Sequence, residues 1–483
     1  MLPSKSVISQ NLYLAIDQGG HASRALVFNS QGNLITEDQH EIRTIRTAND
    51  RVEHDADEMV MSIKDVVKNI AGKLGESAKD IATAGLATQR SNIVCWNRET
   101  SKALSPIISW QDRRAHDWME QFSARKDDIH RITGLYPTAH YGVSKLRWCL
   151  DNIPEVSTTF KNGKLAWGPM SAFLCHRLLN EKPFVADPVN ASRTLLWDIE
   201  HKNWSSELLN MFNMPQVCLP RCVPSNYHFG TLSSGSLSIP MRIVTGDQSS
   251  ALFAGGMPQQ NSVYITIGTG AFISRITEQQ PIKSSRLLSS VVLQNDADTI
   301  YALEGTVNGA GSALSWVSIK TGLYRKIEKL PEWLMRECNP PLFLNGISGL
   351  GTPLWRPHFE SKFIGAGDDW KKAVAVIESI VFLLQLNLEE MQLSLPAPEK
   401  IIIGGGLSRF DGLCTRLATL SGLPVYRSET HENTALGLAY LAADCPETWP
   451  NRTGSLCFQP TEIPSLHDRY KRWQKALMSA VNA

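Results

Sequence analysis

Short apolar runs that stop at aspartate or glycine recur along this chain. Leu12 to Ile16 is apolar and ends at Asp17 and a glycine pair, Gly19 and Gly20; the run restarts over Arg24 to Asn29, and Gln31 and Gly32 make a turn before Asn33 to Thr36. Runs of this length bounded by turn residues predict strands. Ile81 to Leu86 predicts another strand, followed by the polar loop Ala87 to Asn92 and a strand ending at Trp96. Between them, apolar positions at helical spacing predict a helix over Met59 to Leu74. The second half repeats the device. Arg242 to Val244 leads into Thr245, Gly246 and Asp247; Ser262 to Ile267 leads into Gly268, Thr269 and Gly270; Lys400 to Ile403 leads into Gly404, Gly405 and Gly406. A long helix is predicted over Lys371 to Gln392, and a terminal one near Asp468 to Ala480.

This alternation predicts an α/β fold of two domains on mixed sheets, with polar loops at strand ends facing a shared cleft. A chain of 483 residues also exceeds what one hydrophobic core comfortably serves. The boundary is expected near Phe253, giving residues 1–252, residues 253–445 and a tail 446–483. Trp449 and Trp473 in that tail carry no functional signal.

The 48 basic and 47 acidic side chains balance, which excludes the basic field of a nucleic-acid binder. Nine cysteines, Cys338 among them, are scattered and odd in number, as expected of a reducing compartment. Cys218 and Cys222 are four apart, but no second pair completes a zinc set. No stretch reaches the ~18 apolar residues of a membrane span, so a cytoplasmic protein is expected, with homo-oligomerisation left open.

Phosphate needs several backbone N–H donors at close range, and glycine loops after strands permit that approach. A run such as Gly404 to Gly406 serves equally as a tight turn. Asp17, where a strand meets the first glycine loop, suits a magnesium ion held beside transferred phosphate, or simple loop capping. Asp247 ends a strand in the same way and suits the acceptance of a proton from an attacking hydroxyl.

The segments LAIDQGGHASRALVF, RVEHDADEM, TQRSNIVCWNRETSKALSPIISWQDRR, ADPVNASRTLLWDI, TGDQSSALF and ITIGTGAF occur in this order. The chain thereby resembles the FGGY family of carbohydrate kinases, and within it the glycerol kinases, from about Leu12 to Ala442. The resemblance implies two actin-like ATPase (ribonuclease H-like) domains, ATP and Mg2+ as cofactors, and a small polyol or sugar as the partner. It implies Asp247 as catalytic base and Asp17 as the magnesium-side carboxylate. Gly19, Gly20, Arg24, Gly268, Thr269, Gly311, Gly405 and Gly406 fall on the nucleotide side. Arg90, Ser91, Trp110, His140, Gln248 and Phe272 fall, with Asp247, on the acceptor side.

The chain departs from the glycerol kinase pattern at chosen places. Arg90 is followed by Ser91 rather than glutamate, and His140 stands at a tyrosine position, with Tyr141 next to it. Gly20, His21 and Ala22 replace hydroxyl residues of the first phosphate loop, and Phe410 replaces an asparagine near adenine. Ser233 to Met241 is too short for a sugar-bisphosphate regulatory loop. A polyol kinase with an altered pocket is therefore expected; a ketopentose kinase, or a weakened nucleotide-dependent regulatory protein, are the competing readings.

Overall fold

The computed structural model describes residues 11–48, 50–277, 279–336, 339–428, 432–450 and 456–482. Cys338 and the first ten residues lie outside the described residues.

The strand Leu12–Gln18 outruns its apolar stretch because its hairpin with Ala22–Phe28 continues through polar residues, pairing Asp17 with Arg24 and Gln18 with Ser23. Its other neighbour is Ile81–Thr88, which runs parallel to it, and Leu237–Gly246 lies parallel beyond that. Gly230–Ser234 and Leu34–Glu41 close the two edges of this six-stranded sheet. Alternate residues of its strands serve two layers. Leu14, Ile16 and Val27 pack with Met59, Ile63 and Val66 of the helix Ala56–Leu74. Ala15, Leu26 and Phe28 pack with Leu436, Leu438 and Tyr440 of the helix Asn433–Ala442 on the other side.

The second sheet has seven strands in the order Leu288–Gln294, Thr299–Val307, Ala271–Thr277, Ser262–Ile267, Lys400–Gly404, Val425–Arg427 and Leu456–Phe458. The helix Asp369–Gln392 is buried along most of its length against it. The final helix, Pro464–Asn482, sinks Leu466, Trp473 and Leu477 into the same core. Its Arg469 grips the buried Glu378 through two N–H···O bonds of 2.9 and 2.7 Å, a geometry that satisfies both carboxylate oxygens.

The two halves are not joined by hinge backbone alone. Phe253, Ile276, Val292 and Ala302 share one apolar cluster with Ala15, Ala87 and Ile243 of the first sheet. A third, five-stranded sheet includes Ile93–Asn97 and Ile107–Ile108, and Trp110 lies just past the end of the second of these strands. The eight described cysteines are free thiols, and among the described residues no helix is long and apolar enough to cross a membrane.

Candidate active site

Three adjacent parallel strands end together. Gln18 is in register with Thr88, and Thr88 with Gly246, so Asp17, the Gln89–Asn92 loop and Asp247 emerge at one edge of the sheet. The carboxyl ends of parallel strands are where α/β proteins place ligands. Asp17 is buried and ion-pairs with Arg24, whose other arm reaches Glu432 at 2.5 Å. Burial raises the Asp17 carboxyl in spite of Arg24. Asp247 opens the short helix Asp247–Ala251, and its Oδ1 accepts the Gln248 N–H at 2.7 Å. Burial pushes its pKa up to about 6; Arg90 opposes the rise and the charge of Asp17 adds to it. Such a carboxylate is ionised at neutral pH yet basic enough to take a proton.

Arg90 reaches from the loop after Ile81–Thr88 to two partners, the Gln248 Oε1 and, at 3.0 Å, the Glu304 carboxylate. Glu304 lies on the strand Thr299–Val307 of the second sheet, where it also accepts from Arg193 Nη2 at 2.5 Å and Ser290 Oγ at 2.8 Å. Burial alone would raise this carboxyl, but the Arg193 and Arg90 guanidiniums outweigh it and hold it at about 2. Phe272 pairs with Thr306, two residues along from Glu304, so Phe272 and Glu304 share one face of the second sheet.

Beside Arg90 lie the positions at which the chain is unusual. Ser91 is buried, holds a left-handed backbone with φ 67°, and keeps its Oγ without a hydrogen-bond partner among the described residues. Trp110 is fixed by its N–H to Asn92 Oδ1 at 2.7 Å, and its ring lies against His140, centroids 5.6 Å apart. Burial and then the cations Arg113 and Lys145 drive His140 well below its ordinary pKa, so its ring is neutral. The buried Lys145 Nζ donates to the carbonyl of Ser91 at 3.0 Å and of His140 at 2.7 Å, tying the two positions together. Tyr141 is buried beside His140 and interacts with Arg193.

On the other side of the cleft, Ser262–Ile267 and Lys400–Gly404 are parallel neighbours, so the loops at Gly268 and Gly404 share an edge. Gly405 has φ 88°, and a Cβ there would stand 2.6 Å from the Ile267 carbonyl oxygen. A Cβ on Gly311 would stand 2.7 Å from the Gly268 oxygen; instead the Gly311 and Ser312 N–H groups bond the Gly268 and Thr269 carbonyls at 2.9 and 3.0 Å. Gly406 is exposed, with open space around it. Backbone laid this tightly is what a phosphate cradle requires.

Comparison with known proteins decides which family this cleft belongs to. Residues 12–254 match the N-terminal domain of the FGGY family of carbohydrate kinases, and residues 263–444 match its C-terminal domain. The chain belongs to that family. It is similar to a glycerol kinase of Trichlorobacter lovleyi, 34% identical over 458 residues covering 91% of each chain, and to one of Deinococcus radiodurans, 31% identical over 98% of each. Its fold is that of Plasmodium falciparum glycerol kinase with ADP, TM-score 0.89 at 24% identity over 98% of both chains, and of a Lactobacillus acidophilus xylulose kinase, TM-score 0.85 at 18% identity over 98% of both. As an FGGY kinase the protein is a phosphotransferase acting on an alcohol, built on two actin-like domains.

In this FGGY kinase the acceptor-side candidates are linked by contact, Asp247 to Gln248 and Gln248 to Arg90, Trp110 to His140, and His140 to Ser91 through Lys145, and Phe272 shares the sheet face of Glu304. Gly268, Thr269 and Gly311 are in direct contact, and Gly405 adjoins them through Ile267. Gly19 and Gly20 sit at the turn between Asp17 and Arg24, where the Gly19 N–H bonds the Ala22 oxygen at 3.0 Å. Phe410 is buried in the second core, just ahead of the helix Asp411–Ser421. Sequence reading overlooked Glu304, Arg193, Arg113 and Lys145. The available signals were a lone acid in the apolar strand IYALEGTV, the arginines inside ADPVNASRT and SWQDRR, and a lysine on the buried face of the helix Gly142–Asn152.

Proposed function

We propose that the protein transfers the γ-phosphoryl group of ATP to a terminal hydroxyl of a four- or five-carbon polyhydroxy compound, in preference to glycerol. The observation that carries this reading is the convergence of Asp247, with its raised pKa, and the Arg90–Gln248 pair beneath a wall altered at Ser91 and His140. Asp247 accepts the acceptor's hydroxyl proton as its oxygen bonds the γ-phosphorus and the bond to the β,γ-bridging oxygen breaks, releasing ADP. Arg90 and Gln248 orient neighbouring hydroxyls, while Trp110 and Phe272 confine the carbon chain. The loops at Gly19–Gly20, Gly268–Thr269 and Gly405–Gly406, with Arg24 and Gly311, hold the nucleotide.

Magnesium fits the residues present. Asp17 and Asp247 are two carboxylates close enough to repel each other, the hard oxygen donor set that a divalent cation relieves. Asp17 would hold the ion, and its charge would offset that of the phosphates. Closure of the two halves around ATP and acceptor would exclude water, and the halves already share the apolar cluster around Phe253. The division into residues 1–252, 253–445 and 446–483 and a cytoplasmic location belong to the same reading.

The ketopentose alternative is weaker, since the curated relatives cited are glycerol kinases and the xylulose kinase likeness is one of fold. ADP formation with magnesium against glycerol, tetritols, pentitols and ketopentoses tests the reading. Asp247→Asn should lower kcat about 10²-fold or more on the best acceptor; near-normal turnover would remove Asp247 from the mechanism.

A further inference from the structure

Most of the cations around the acceptor wall are already paired. Arg90 and Arg193 share Glu304. Arg114 is closed off by Asp112 and Glu53, each at 2.6 Å. Arg113 is different. Its Nη1 donates to the carbonyl oxygens of Trp110 at 2.7 Å and Asp112 at 3.0 Å, and among the described residues no carboxylate pairs with it. The residue is exposed, and its Nε and Nη2 carry no hydrogen bond among the described residues. That free edge is the one through which a guanidinium takes a carboxylate side-on, by two parallel N–H···O bonds.

The bond to the Trp110 carbonyl anchors the guanidinium to the residue whose ring lies against His140. The charged groups that act most on His140 are all cations, Arg113 first, then Lys145, Arg193 and Arg90. Ser91, tied to His140 through Lys145, contributes a buried hydroxyl with no partner and no negative charge. A neutral acceptor would leave the Arg113 edge to water and the Ser91 hydroxyl unmatched. An anionic end satisfies the free donors with charge-assisted hydrogen bonds.

We propose that the preferred acceptor is a short polyhydroxy acid, its carboxylate held by the Nε–Nη2 edge of Arg113 beside His140 and its far hydroxyl presented to Asp247. The inference rests on the kinase reading above and deepens it. The transfer step is unchanged: the far hydroxyl oxygen bonds the γ-phosphorus, ADP departs with the bridging oxygen, the proton goes to Asp247, and the carboxylate takes no part in bond making.

The full chain is assayed for ADP formation with ATP and magnesium on matched pairs, erythronate against erythritol and ribonate or arabinonate against ribitol or arabitol. The acid of at least one pair should exceed its polyol in kcat/KM by about tenfold or more. Arg113→Gln should bring that ratio toward one by raising KM for the acid, and Arg113→Lys, which keeps the charge without the fork, should fall between and guards against loss of folding in the first variant. Polyols used as well as or better than their acids, or an Arg113→Gln variant that lowers both in parallel, would overturn the inference. Phosphorylation of neutral polyols alone sinks this inference and leaves the kinase reading standing; a panel with no phosphorylated acid or polyol sinks both.

Discussion

Arg90 of the first sheet's loop donates to Glu304 of the second sheet at 3.0 Å, so a candidate acceptor-binding arginine is held by the opposite half of the molecule. The pair is 7% and 5% exposed, which makes its geometry costly to disturb. Removing one partner of a buried ion pair typically costs about 3–5 kcal/mol, because the other charge stays buried.

Glu304→Gln should therefore lower stability and also raise KM for the acceptor, since Arg90 loses its anchor. The pH dependence separates charge from packing. The folded carboxyl, at about 2, lies below its ordinary 4.5, so its stabilisation is present above pH 4.5 and is lost as pH falls toward 2. Thermal melts of wild type and variant should differ most at neutral pH and converge below pH 4.5; a constant difference would make the effect one of packing.

Asp247 gives the opposite sign. Its folded pKa of about 6 lies above the ordinary 3.8, so burying the charge costs stability that is fully felt above pH 6 and vanishes below 3.8. Asp247→Asn should melt higher than wild type at pH 7.5 while losing turnover. In wild type, kcat/KM should climb tenfold per pH unit below about 6 and level off above it. A profile flat from pH 5 to 8 would count against Asp247 as the base.

Ser91 and His140 should set acceptor size and charge together, because Lys145 ties their backbones. The double change Ser91→Glu with His140→Tyr should move kcat/KM toward glycerol by about 10-fold per charged hydrogen bond gained, from ~1.4 kcal/mol each. Glycerol outranking every larger acceptor in the unmodified protein would show that this wall does not select.

Gly311→Ala should strike the nucleotide side. The new Cβ would meet the Gly268 oxygen at 2.7 Å, backbone that cannot move without opening the Gly268–Thr269 loop. KM for ATP should rise with little change in acceptor KM, measured by varying each substrate in turn. Equal effects on both would show that the two sides move as one.

Several elements were legible from local pattern. The strands ending at Asp17, Asp247, Gly268 and Gly404 announced themselves because an apolar run and a terminal glycine are both near-neighbour signals. Their lengths were not, since Asp17 and Gln18 stay in the ladder only because Arg24 and Ser23 lie across from them. That Phe410 would be buried in the second core was not legible, because the packing around the helix Asp411–Ser421 settles it.

By itself, then, the order of residues determined the α/β class, the repeated strand-and-loop design and the two aspartates at strand ends, all of which depend on neighbours within a few positions. Only the tertiary structure decided that Glu304 would reach across to Arg90 and Arg193, that Lys145 would bind Ser91 to His140, and that Arg113 would keep one edge free. The reason is physical. A buried charge takes its meaning from the partners that surround it, and these partners lie 214 and 111 residues away for Glu304 and 54 residues away for the Lys145–Ser91 bond.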